Sequence, residues 1–454
     1  MKASDSEFCL EGSEWLEGYP LGEGRRRKAA ILLCIVWISV LVLHLSSLGS
    51  WLILGLTGLM GIHGLRLLGT VPCPPPTPLP IDAASEEYPF VSLVVAAKDE
   101  EAVIARLVET LCALDYPSTR YELWVVDDNS SDRTPTILAE LAQRHPHLHW
   151  LRRGLGASGG KSGALNQVLP SLKGELIGVF DADAQVSPNL LRAVVPYFTP
   201  PEVGAVQVRK AIANTSTNFW TRGQSIEMIF DAFLHERRQS IGGMGELRGN
   251  GQFVRRAALE RCGQWNEETI TDDLDLTFRL HFDQWTIVSV MSPWVQEEGV
   301  TRAIGLWHQR NRWAEGGYQR YLDYWPLVLN NEFKLTKNLD FAMFSILQYI
   351  LPTAVIPDTL ISIWQGDLPV LIPLSGLTMG LSAVGMVAGL NRIRQQENQP
   401  FNPLSMIGQA ILGTLYMSHW FVVVASVTTR MAIRPKRFNW VKTLHVGQAE
   451  SSGS

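Results

Sequence analysis

The stretch Glu175-Leu-Ile-Gly-Val-Phe-Asp-Ala-Asp183 places a short apolar run directly before two acids. Leu176, Ile177, Val179 and Phe180 are what a strand buried on both faces requires, and charge begins where such a strand leaves the core. On an extended backbone residues two apart point the same way, so Asp181 and Asp183 are expected to converge on one object. A hard divalent cation, Mg²⁺ or Mn²⁺, suits that pair, because it takes carboxylate oxygens and keeps room for substrate phosphates. Two solvated turn acids are the plainer reading of an isolated D-x-D; the neighbouring segments argue against it.

Upstream, Val91-Ser-Leu-Val-Val-Ala-Ala97 reads as a strand ending at Lys98-Asp99-Glu100-Glu101, followed by a helix carrying Val103, Leu107, Leu111 and Leu114. Glu122-Leu-Trp-Val-Val126 is the next strand and ends in Asp127 and Asp128. From residue 90 to about 335 strands alternate with amphipathic helices, so the expected fold is an α/β domain with a mostly parallel sheet. Ligands of such sheets bind beyond the carboxyl ends of the strands, and three consecutive ends here are acidic. Between them lies Gly154-Leu-Gly-Ala-Ser-Gly-Gly-Lys-Ser-Gly-Ala-Leu-Asn166, a glycine-rich turn that can offer backbone N–H groups and the Lys161 ammonium to a diphosphate. A P-loop would need glycine at position 155, where the chain has Leu155.

The ends differ in kind. Residues 1–28 form a polar tail that ends in the cluster Arg25-Arg-Arg-Lys28, and residues 29–70 are apolar enough for two membrane-crossing helices. Residues 71–89 are a Pro-rich linker, with prolines from 72 to 80 stiffening it. Three more apolar segments fill residues 336–430, and a basic tail occupies 431–454. By the positive-inside rule both tails and the α/β domain belong on the cytoplasmic side. Parity then requires that one C-terminal segment does not simply cross, and Pro352 and Pro357 single out the first. His44, His63 and His419 fall inside apolar segments and read as packed or interfacial groups. The net charge of −5 gives no nucleic-acid signature. Five scattered cysteines without C-x-x-C spacing read as reduced and without a metal role.

In order along the chain, V-V-D-D-N-S-S-D (125–132), G-G-K-S-G-A-L-N (159–166), D-A-D (181–183), T-D-D-L-D (271–275) and Q-R-N-R-W (309–313) resemble the family 2 glycosyltransferases. The flanking apolar segments look like those of membrane-bound members such as cellulose and hyaluronan synthases. The stretch from Gln309 onward and the tail R-P-K-R-F-N-W-V-K-T-L-H look like a cyanobacterial branch that moves glucose from UDP-glucose to diacylglycerol. The resemblance implies a GT-A-like, Rossmann-type nucleotide-sugar domain inserted between N- and C-terminal transmembrane helices, in a plasma or thylakoid membrane. It places Asp99, Asp127 and Asp128 near the uridine, Lys161 at the diphosphate, Asp181 at the nucleotide sugar and the metal, Asp183 on the metal, and Asp273 as catalytic base. Membrane members usually read T-E-D where this chain has Thr271-Asp272-Asp273, which changes the reach of the middle acid.

Helical spacing puts Gln309, Arg312 and Trp313 on one face, suited to a phosphate and a sugar or glycerol plate. An amphipathic helix resting on a membrane is the rival reading. Thr271 is expected to cap the helix carrying the base. Residues 219–235 and the glycines from 242 to 251 are expected on the acceptor side. A processive polysaccharide synthase and an inactive nucleotide-sugar-binding scaffold are the alternative functions; few C-terminal spans weigh against the first, and intact Asp183, Asp273 and Arg312 against the second.

Overall fold

The computed structural model describes residues 22–80 and 88–434 of the 454-residue chain. The expected tails therefore lie almost wholly outside the described residues. Two helices come first, α1 (Arg25–Leu45) and α2 (Gly49–Gly69). The α/β region follows as β1 (Val91–Ala97), α3 (Ile104–Cys112), β2 (Tyr121–Asp127), α4 (Thr134–Arg144), β3 (Leu148–Arg152), α5 (Gly160–Val168), β4 (Leu176–Phe180), β5 (Gln185–Val186), α6 (Leu190–Val194), β6 (Val203–Ile212), α7 (Phe219–Ser240), β7 (Gln252–Arg255), α8 (Arg256–Arg261), α9 (Asp272–Phe282), β8 (Thr286–Glu297) and α10 (Ala303–Leu329). Then come α11 (Leu335–Ser345), α12 (Leu351–Gln365), α13 (Ile372–Gln396), α14 (Pro403–Met417) and α15 (His419–Ile433).

β4 is buried at every position, as a strand covered on both faces must be. In α3, Ile104, Leu107, Val108 and Leu111 are the buried residues, an i, i+3, i+4, i+7 stripe laid on the sheet. The eight strands form one sheet in the order β3-β2-β1-β4-β7-β6-β8-β5. β1 pairs in parallel with both β2 and β4, with Ala97 opposite Asp127 and Val95 opposite Phe180. The chain thus winds outward from β1 to β3 and then crosses back to β4, which leaves a switch point beside β1 where a ligand cleft opens. Beyond β4 the sheet departs from the mostly parallel expectation. β7 runs antiparallel between β4 and β6, and β5 is antiparallel to β8, so the sheet is mixed.

Among the described residues, five helical rods are long and apolar enough to cross a membrane: α1, α2, α11 through α12 as one rod of 31 residues, α13, and α14 through α15 as another. Pro352 does not interrupt the third rod. A π-helical turn, Ile346–Ile350, precedes it, with the Leu351 N–H donating to the Ile346 carbonyl, and the helix continues to Gln365. At 1.5 Å per residue such a rod is about 46 Å long, more than a hydrocarbon core of about 30 Å needs. The histidines of the apolar segments are partnered. His44 Nε2 lies 2.8 Å from Asp358, His63 Nε2 lies 3.4 Å from Asp340, and His419 meets the Tyr416 carbonyl. Among the described residues, Cys34, Cys73, Cys112 and Cys262 are free thiols.

Candidate active site

Asp181 and Asp183 leave β4 in a tight turn, closed by the Ala184 N–H donating to the Asp181 carbonyl at 3.0 Å. The extended alternation expected for D-A-D is therefore absent, since the chain must reverse at once to pair β5 with β8. Both carboxylates nonetheless line one cavity. Asp181 is 44% exposed and takes the Lys161 ammonium at 2.6 Å. Asp183 is buried, and its Oδ2 accepts the Glu298 N–H at 2.8 Å.

Lys161 reaches Asp181 because α5 begins on two successive left-handed glycines, Gly159 (φ 81°) and Gly160 (φ 53°), a backbone that side chains resist. This aims the first turn of α5 toward the end of β4. Burial alone would lower the Lys161 pKa, but Asp181, Asp272 and Asp273 override it and hold the ammonium above its usual range.

Asp272 and Asp273 open α9, where backbone N–H groups favour acids. Thr271 stands at the cap position but makes no capping hydrogen bond. Its side chain is instead wedged against Gly316 of α10, where an added Cβ would come within 2.3 Å of Oγ1. Asp273 faces the cavity and is half-buried in its wall. Burial, then the neighbouring Asp272 carboxylate, push it up to about 6 from an ordinary 3.8, with Lys161 and Lys210 pulling the other way.

α10 brings Gln309, Arg312 and Trp313 to the same cavity, on the one face their spacing implies. Burial lowers the Arg312 pKa while Asp181, Asp273 and Asp272 raise it, the pattern of a guanidinium inside an acidic cluster. Trp313 has Lys210 Nζ 4.8 Å and the Arg310 guanidinium 4.0 Å from its ring centroid. The helix does not rest on a surface: Arg310 is fully buried and ion-paired with Glu227, and Tyr416 and Trp420 donate to that carboxylate at 3.1 and 2.6 Å. From the segment expected on the acceptor side, Met228, Phe230 and Phe233 of α7, with Arg248 and Gly249, also line the cavity.

Asp99, Asp127 and Asp128 gather at the ends of β1 and β2, beside the cavity but outside its wall. Asp127 is wholly buried; its Oδ1 accepts the Ser130 N–H at 3.0 Å. Asp99 is left-handed (φ 53°) and accepts the Ser131 N–H at 2.6 Å. Asp128 is 2.7 Å from Arg153 Nη1, and Arg153 also donates to the Gly160 carbonyl at 3.1 Å. Arg153, which sequence reasoning passed over, thus ties Asp128 to the loop that carries Lys161. The signal available was a basic pair, Arg152-Arg153, at the only non-acidic end among the first four strands.

The cavity has a volume of about 990 Å³ and joins this polar cluster to residues of α2, α13, α14 and α15. Pockets for a single small ligand span roughly 300 to 1,000 Å³, so the space stands at the upper end of that range.

Residues 89–316 match the family described as glycosyltransferase like family 2. The chain is 57% identical over 429 residues to the beta-monoglucosyldiacylglycerol synthase of Trichormus variabilis, covering 94% of this chain and 91% of that protein. It is 54% identical over 432 residues to the synthase of that name from Synechocystis sp., covering 95% and 90%. Among solved structures, the mannosyltransferase PcManGT from Pyrobaculum calidifontis, in complex with GDP-Man and Mn²⁺, superposes with a TM-score of 0.57 at 18% identity, covering 87% of this chain and 99% of that one. This likeness marks the mixed sheet as GT-A-like. With the family match over residues 89–316 and the identity to these synthases along nearly its whole length, the chain belongs to the family 2 glycosyltransferases.

Proposed function

We propose that the protein moves glucose from UDP-glucose to the free hydroxyl of 1,2-diacylglycerol with inversion, giving β-monoglucosyldiacylglycerol and UDP. The observation that carries this reading is the single cavity in which acids, Lys161 and Arg312 meet the interior of an apolar helix bundle. The 57% identity to a β-monoglucosyldiacylglycerol synthase supports the choice of sugar and acceptor.

Asp273 takes the proton of the acceptor hydroxyl as its oxygen attacks the anomeric carbon. The new C–O bond forms on the face opposite the diphosphate, which leaves with its electron pair. A carboxylate whose pKa is raised to about 6 is a stronger base than an ordinary one and is still ionised at neutral pH. Lys161 and Arg312 hold the negative charge that develops on the departing diphosphate. Trp313 offers a flat apolar face to the sugar or the glycerol. Asp99, Asp127 and Asp128 shape the uridine end through the loops they tie together.

Among the described residues, no three His, Cys, Asp or Glu side chains gather closely enough to form a metal site by themselves. Asp181 and Asp183 alone fit a Mg²⁺ or Mn²⁺ shared with substrate phosphates, the usual mode for these ions. When bound, the ion adds positive charge at the diphosphate. The domain faces the cytoplasm, on the side marked by Arg25-Arg-Arg-Lys28 at the start of α1.

Purified protein with labelled UDP-glucose or UDP-galactose and diacylglycerol, followed by lipid separation, should yield a glucolipid. Product that is aqueous and polymeric, or no lipid product at all, overturns the reading. Asp273→Asn should lower kcat by about 10² to 10⁴ while UDP-glucose binding by calorimetry stays close to wild type. Lost donor binding would remove Asp273 from the base role.

A further inference from the structure

The cavity does not stop at the chemistry. On α2 it is lined by Met60, Gly64 and Leu67, and on α13 by Thr378, Ser382 and Met386. In each helix these positions recur every three or four residues, so one stripe of α2 and one of α13 face the same space over two turns, about 10 Å along each helix. The opposite face of α2 points away from the protein, with Ile62 69% and Leu65 66% exposed. Leu381 packs directly on Gly64, so the two helices touch there, and the void is a slot that runs beside that contact, continuous with the wall that holds Asp181 and Asp273. A sugar nucleotide has no apolar part to fill it, whereas a lipid has a long one. The slot walls are flexible or small, with methionine and leucine set beside glycine and serine, which suits chains of variable length and kink.

We infer that the slot beside the α2–α13 contact is the acyl-chain site of the acceptor. The diacylglycerol lies with its tails along the two helices and its hydroxyl end toward Asp273. The inference rests on the acceptor reading given above and extends it: chain recognition occurs inside the protein, and the acceptor is held by its tails.

Ser382→Trp fills the slot from α13 with bulk. In the full-length protein in mixed micelles, its kcat/KM for dioleoylglycerol should fall about tenfold or more, since burial of methylene groups drives that binding. For dibutyrylglycerol, whose four-carbon chains bury few methylene groups, the rate should remain within about twofold of wild type. A loss equal for both acceptors, or none for the long one, overturns the inference. A folding defect lowers both rates alike, so a loss confined to the long acceptor cannot come from one, and an equal loss counts against the inference only where the thermal unfolding of Ser382→Trp matches wild type. Photolabelling wild type with a diacylglycerol carrying a diazirine near the tail end gives an independent reading. Label should fall on Met60, Leu67 or Met386; label confined to Ile62 and Leu65 would place the tails outside the bundle. If wild type glucosylates no diacylglycerol of any length, it is the acceptor assignment that fails.

Discussion

A carboxylate works as a base only when it is ionised and still basic, and the surroundings of Asp273 set both conditions. Burial first and Asp272 second raise its pKa to about 6; Lys161 and Lys210 restrain the rise, and Arg312 lies in the same acidic cluster. Because the ionised form acts, kcat/KM for the donor should climb with pH through about 6 and level off above it. Asp272→Asn removes a like charge next door, so the Asp273 pKa should fall and the acid limb should move to lower pH. A plateau base of lower pKa is also weaker, so the rate at pH 8 should drop modestly. A limb that stays in place in Asp272→Asn would show that another group titrates. Gly249 supplies a second test at the same carboxylate. It is left-handed (φ 78°), and an added Cβ would lie 3.4 Å from Asp273 Oδ2. Gly249→Ala should cost about 1 to 2 kcal/mol in stability, because L residues avoid this conformation, and should lower kcat more than it weakens donor binding.

At the scale of elements, the sequence showed the parallel half of the sheet plainly and the rest poorly. β1, β2 and β4 are continuous apolar runs with acids at their ends, so both the strands and the cleft beyond them were legible. β7 was not, because four residues between a glycine loop and a helix carry too little periodicity to declare a direction. α10 misled in a different way. Its charged positions look solvent-facing in sequence, but Arg310 meets Glu227, Arg320 meets Glu246 and Asp323 meets Arg25, all inside the protein. Amphipathic spacing records that a group needs a polar partner, not that the partner is water. The Thr271 cap failed because packing against Gly316 claimed the side chain. Glu227 shows what the buried pairing is worth. Glu227→Ala would leave Arg310 without its carboxylate and Tyr416 and Trp420 without an acceptor. Loss of one partner of a buried pair costs about 3 to 5 kcal/mol, so thermal unfolding in detergent should begin several degrees lower. With α10 loosened, Arg312 and Trp313 should also lose their register, and donor KM should rise.

Across the whole molecule, the apolar rods and the α/β domain are joined by a few buried charges, since a nonpolar surface alone would slide. Arg25 at the head of α1 is bound to Asp323 of α10. Arg238 of α7 grips Asp340 of α11 through Nε at 3.1 and 3.0 Å, with His63 of α2 on the same carboxylate. Asp340 also accepts the Met244 N–H at 3.0 Å, so it fixes the start of the loop that leads to Gly249 and Asp273. One carboxylate thus holds two membrane-type helices, the helix roofing the cavity and the active-site loop in a single register. A weak surface pair would be worth less than about 1 kcal/mol, but Arg238 and Asp340 are 1% and 0% exposed. Asp340→Ala should therefore lower the unfolding temperature by several degrees, in line with about 3 to 5 kcal/mol for an orphaned buried charge. It should also raise KM for long-chain diacylglycerol, because the slot beside α2 and the loop beside Asp273 lose their common anchor. Asp340→Asn retains an acceptor for the Met244 N–H and should fall between the two. If Asp340→Ala changes neither stability nor acceptor KM, the bundle and the domain are docked independently, and some other contact keeps the cavity continuous.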